Sequence, residues 1–192
     1  MKLTLFTIII ALSLTSSVFA QDDAAVLLAL KAAPEELREG ASVYKFGKNG
    51  DLVVIRQGTN DLVCLADDPS QKGLNVSCYH RDLEPFMKRG RILKGEGKSF
   101  QEIFDLREKE VKEGKLKMPK DPSSLYVYTA KDGEFNPQTG DVTKGYLRYV
   151  IYIPYATAAS TGLPLAPSAP GMPWIMDPGT HRAHIMINPP QN

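Results

Sequence analysis

From Ser42 to His80 the chain is cut into four strand-length runs by turn residues. Ser42 to Phe46, Leu52 to Arg56, Leu62 to Ala66 and Asn75 to His80 are rich in β-branched, aromatic and other apolar side chains. Runs this short, interrupted this often, read as strands. Asn49-Gly50 is a hairpin cue between the first two, and Gln57-Gly58-Thr59-Asn60 turns the chain toward the third. The loop from Asp67 to Leu74 leads into the fourth. The spacing predicts a four-stranded antiparallel meander.

The two cysteines fall on the third and fourth runs. If the Asp67 to Leu74 loop closes a hairpin, Cys64 and Cys78 stand opposite each other and can form a disulfide. A second reading adds His80, which shares a strand face with Cys78. Two thiolates and an imidazole would make a zinc or copper half-site, though a disulfide consumes both sulfurs and the spacing matches no metal signature.

Helices are expected on either side of the meander. Asp22 to Ala33 has acids at its positive end and an apolar face through Ala25, Leu28, Ala29 and Ala32, and a short Pro34 to Glu39 helix closes at Gly40. Asp82 is positioned to cap a helix carrying Leu83, Phe86 and Met87 inward, with Pro85 in its opening turn. Ser99-Phe100-Gln101-Glu102 has capping-box spacing and opens a helix with an apolar stripe of Phe100, Ile103, Phe104 and Val111. Asp105 with Lys109, and Glu108 with Lys112, stand at ion-pair spacing. Lys88, Arg89, Arg91, Lys94 and Lys98 form a basic cluster that reads either as a solvated helix face or as a contact for an anionic surface. Ser124 to Ala130 and Tyr146 to Ile153 return to strand across a polar loop, Lys131 to Gly145. The fold expected is α+β, a mainly antiparallel sheet of about six or seven strands with the helices from Asp82 to Gly114 packed on one face.

The chemically richest stretch lies near the end. Residues 173 to 187 hold the only tryptophan, two of the three histidines and two of the six methionines. The turn Asp177-Pro178-Gly179 separates two short apolar runs, so strand, turn and strand is the expected form. In a straight strand His181 and His184 face opposite ways, and His184 shares a face with Met186. Trp174, Asp177, His181, Arg182, His184 and Met186 are the candidate ligand-binding residues: a broad apolar surface with a few polar groups to orient a ligand. The alternative is a soft metal site of His184 and Met186, joined by His181. Asp177, Thr180 and His181 also offer an acid, a hydroxyl and a base, yet Asp and Thr commonly bond to turn backbone. The preceding Pro154 to Pro173 loop holds five prolines and no charge. It reads either as an extended strap across the sheet, packed by Leu163 and Leu165, or as a cover over a ligand.

Residues 1 to 20 have the pattern of a secretory signal peptide: Lys2, an apolar core from Leu3 to Leu14, and Val18-Phe19-Ala20 before the cut. The remaining chain, 21–192, is read as a single α+β domain without an integral membrane segment, secreted or periplasmic. Of 23 basic and 22 acidic residues, losing Lys2 leaves 22 of each, so no basic excess points to nucleic acid. No nucleophile elbow, His-Glu-x-x-His helix or phosphate-binding glycine loop is present. The expected role is therefore non-enzymatic binding of a small molecule or a protein partner. The alternative is a metal-dependent or hydrolytic enzyme centred on His181 and His184. No cofactor is indicated.

Overall fold

The computed structural model describes residues 22–47 and 51–190. The signal-peptide reading and the tip of the first hairpin lie outside these residues. The centre is an eight-stranded mixed sheet, made of β1 Ser42–Phe46, β2 Leu52–Arg56, β3 Leu62–Leu65, β4 Leu74–His80, β5 Ser123–Ala130, β6 Tyr146–Tyr152, β7 Trp174–Met176 and β8 His184–Ile187. The strand order is β2-β1-β3-β4-β5-β6-β8-β7.

Two expectations are corrected. The sheet is larger than six or seven strands, and β3 does not continue a meander. It pairs with β1 in parallel, Ser42 beside Val63 and Tyr44 beside Leu65. Every other neighbouring pair is antiparallel. The chain leaving β2 hooks over the start of β1 instead of reversing beside β2. Thr59 and Asn60 both donate backbone N–H groups to Gly40 O, and Gly58 N–H donates to Ser42 Oγ. A Cβ at Gly58 would lie 2.3 Å from Ser42 N and 2.4 Å from Gly40 O, so only glycine permits this crossing.

Alternation along β3 splits the core into two layers. Leu62 and Cys64 face one side with Val43, Val76 and Cys78, covered by the helix 22–29 (α1) and the 3-10 turn Leu30–Ala32 that extends it. Val63 and Leu65 face the other side with Tyr79, Val150 and Tyr152. That side is covered by α2, Glu84–Gly95, through Phe86 and Met87 and through Leu83 of the 3-10 turn Arg81–Leu83 before it, with α3, Phe100–Lys112, beside it. Helices thus cover both faces. The loop between β5 and β6 is more ordered than its polarity suggests: Phe135 and Val142 form a bridge and pack toward α1.

Local signals explain the helix ends. Ser99 Oγ accepts the Glu102 N–H and Glu102 accepts the Ser99 N–H, the reciprocal cap expected. Asp82 does not cap α2; the His80 ring accepts the Asp82 N–H at 3.3 Å, and Pro85 sits in the first turn. Glu108 and Lys112 form their ion pair at 2.9 Å. Lys109 turns instead to Glu113 at 3.9 Å, and Asp105 accepts from Gln101. Phe100 is 66% exposed and does not belong to the buried stripe. The basic cluster is divided: Arg89 grips Glu110 from α2 to α3, Arg91 grips Glu84, and Lys98 meets Glu102 at 3.5 Å.

Candidate functional site

Cys64 and Cys78 are register partners on β3 and β4 and form a disulfide, with Cα atoms 4.0 Å apart. Both are fully buried, and Ala29 O lies 3.4 Å from the Cys78 sulfur. The half-site of two thiolates with His80 is therefore closed off. His80 itself sits at the surface, its Nδ1 held by the Asp82 N–H.

Strands β7 and β8 pair as expected, with Trp174 opposite Met186 and Met176 opposite His184. The connection is wider than the Asp177-Pro178-Gly179 turn. A second turn closes at Thr180–Ala183, where Ala183 N–H donates to Thr180 O. This bend breaks strand alternation between the histidines. His184 stacks near Tyr152, and His181 lies between Phe86 and Phe104, so both belong to the α2–α3 side.

His181 and His184 are both sealed and hydrogen-bonded. His181 has no exposed surface; its backbone N–H donates to Glu108 Oε2 at 2.8 Å and its Nδ1 meets the same oxygen at 2.5 Å. The natural assignment is an Nδ1–H donated to the carboxylate, with Nε2 bare among aromatic rings and without a protein partner among the described residues. Burial holds the His181 pKa below its ordinary value despite the opposing pull of Glu108. Burial also pushes the Glu108 carboxyl upward, but the hydrogen bonds from His181 and Lys112 outweigh it and leave it below the usual range. His184 is 2% exposed, and its Nδ1 lies 2.6 Å from Arg182 O. Burial lowers its pKa as well.

The other candidates build the turn. Arg182 pairs with Asp177 at 2.5 Å and lies over the Phe100 ring. Asp177 is left-handed (φ 52°), Thr180 Oγ1 donates to Asp177 O, and the same hydroxyl accepts the Arg182 N–H. Met186 packs into the core below α2. The Trp174 indole N–H is buried with no protein partner among the described residues. Arg107, absent from the sequence reading, is 8% exposed with its guanidinium 3.9 Å from the Phe86 ring centre. Burial lowers its pKa to about 10. A lone arginine in a helix carries no sequence signal for such a position. Among the described residues, no group of three or more His, Cys, Asp or Glu side chains is arranged to hold a metal ion.

A concave site opens on the other face of the sheet. A cavity of about 240 Å³ lies between the start of α1, the ends of β1 and β3, and two loops. Ala25, Leu28, Phe46, Ala66, Pro69 and Pro137 form its apolar walls, and Asp22, Lys45 and Asp67 supply its polar groups. None of Trp174, His181 and His184 lines it. Lys45 is paired with Asp22 at 2.6 Å, and Asp67 accepts the Asn75 N–H at 2.8 Å. No local pattern points to this site, because its walls come from segments up to 115 positions apart, Asp22 to Pro137.

Comparisons with protein-family models, with curated proteins and with solved structures return no match.

Proposed function

We propose that the protein is an exported, non-enzymatic module that binds a small ligand. The observation that carries this reading is the cavity at Asp22, Lys45 and Asp67: an open concavity with mainly apolar walls and a few polar groups is the usual form of a small-molecule site. Export is supported by the leader pattern of residues 1–20 and by a buried disulfide suited to an oxidising compartment. Catalysis or metal binding at His181 and His184 would need solvent or a ligand to reach rings that are 0% and 2% exposed.

Two measurements test the reading. A library of small neutral, anionic and cationic compounds is screened by amide NMR shifts, and hits are expected to move residues lining the cavity. Saturable hits confined to the β7–β8 ribbon would return the site to Trp174 and His184, and no hit from any class would remove the small-ligand reading. Metal analysis of the purified protein decides the alternative: stoichiometric zinc or copper would favour the enzyme centred on His181 and His184.

A further inference from the structure

The polar groups of the cavity restrict what can enter it. Lys45 is spent on Asp22, so its charge is already answered within the wall. Among the described residues Asp67 has no such partner: its carboxyl accepts neutral backbone N–H groups, that of Asn75 at 2.8 Å and that of Asp68. Burial pushes the Asp67 carboxyl above its ordinary pKa, the Asn75 N–H pulls it back, and the Asp68 charge adds to the rise. Among the described side chains of the wall, Asp22 and Lys45 cancel and Asp67 keeps one negative charge, in surroundings otherwise made of Ala25, Leu28, Phe46, Ala66 and proline rings. A partly buried carboxylate without a cation gains from one that arrives already carrying apolar surface. The volume of about 240 Å³ lies under the ~300–1,000 Å³ of drug-sized sites, so it fits a body of about one ring.

We propose that this cavity selects a small organic cation, an ammonium group on an apolar body of about one ring, with Asp67 as its counter-ion. The inference rests on the small-ligand reading above and adds the charge class of the ligand.

The test uses three near-isosteric probes on the purified, disulfide-bonded protein: phenethylamine, phenethyl alcohol and hydrocinnamate. Binding is followed by the backbone amides of Ala25, Leu28 and Ala66. Phenethylamine is expected to bind about tenfold or more tightly than the other two, the scale of a charge-assisted hydrogen bond. Asp67→Asn keeps an oxygen for the Asn75 N–H and is expected to remove that preference while leaving phenethyl alcohol unchanged. Ala25→Phe, which fills the cavity, is expected to abolish binding of all three with the rest of the amide spectrum retained. Equal binding of the alcohol or the acid, or an unchanged preference in Asp67→Asn, overturns the cation selection and leaves the small-ligand reading standing. No shift with any probe overturns the inference as well, and the broader screen then decides the small-ligand reading separately.

Discussion

The histidine ring at position 181 shows how one side chain can be held from three directions. Its Nδ1 meets Glu108, its backbone N–H meets the same carboxylate, and the rings of Phe86 and Phe104 pack edge-on against the imidazole. Both His181 and His184 have pKa values lowered by burial, so in the fold they stay neutral where the unfolded chain already takes up protons, near pH ~6.5. The unfolded state then binds more protons, and stability must fall as pH drops through that value. Glu108, with its pKa also lowered, adds a second loss deeper in the acid range, while Asp67, raised, works in the opposite direction over carboxylate pH. The urea midpoint is expected to be lower at pH 5.5 than at pH 7.5, and His184→Gln should flatten that dependence. A midpoint that holds or rises on acidification would contradict the neutral, sealed histidines. His184 and Met186 were recognisable as neighbours on one strand face. Glu108 was not recognisable as a partner of His181, because it lies 73 positions away on another element and pairs with it only through the packing of α3.

Among the elements, the proline-rich segment ahead of β7 is tied down over only part of its length, and Leu165 does not pack it across the sheet as expected. Its first half is tied down. Tyr155 N–H donates to Thr180 O, a single helical turn at Ala158–Thr161 is capped reciprocally by Thr157 and Ser160, and Pro164 O accepts the Ile175 N–H. Beyond that point residues 164–170 are exposed, and Leu165, 63% exposed, packs nothing across the sheet. Limited proteolysis with an enzyme that cuts beside small apolar residues is expected to nick first between Leu165 and Ala169. First cuts inside β3 or β4 would mean that the core layers are wrongly assigned. The segment's prolines and lack of charge made it legible as irregular structure; which of its carbonyls would meet β7 depended on a strand not yet placed.

At the scale of the whole molecule, the sheet was readable as short strands and the disulfide as a cross-strand pair, since turn residues and export chemistry mark both. Its order was not. The residues 57–60 announce a change of direction, but the landing of β3 beside β1 depends on contacts with Gly40 and Ser42 that no local pattern encodes. The covalent link at Cys64 and Cys78 closes a separation of 14 residues at the centre of this arrangement. Thiol titration of the unreduced, denatured protein should find no free sulfhydryl, and replacing both cysteines with alanine should cost about 2–4 kcal/mol of stability. Two free thiols would remove the assignment. The two margins of the sheet differ. Val53 and Val54 on β2 are 47% and 46% exposed on opposite faces, whereas β7 has its outer backbone occupied at Pro164. Unpaired strand margins are where chains add to one another, and endless growth needs two of them per copy. Among the described residues β2 is the margin left open, so association by strand pairing through it would join two copies and stop there.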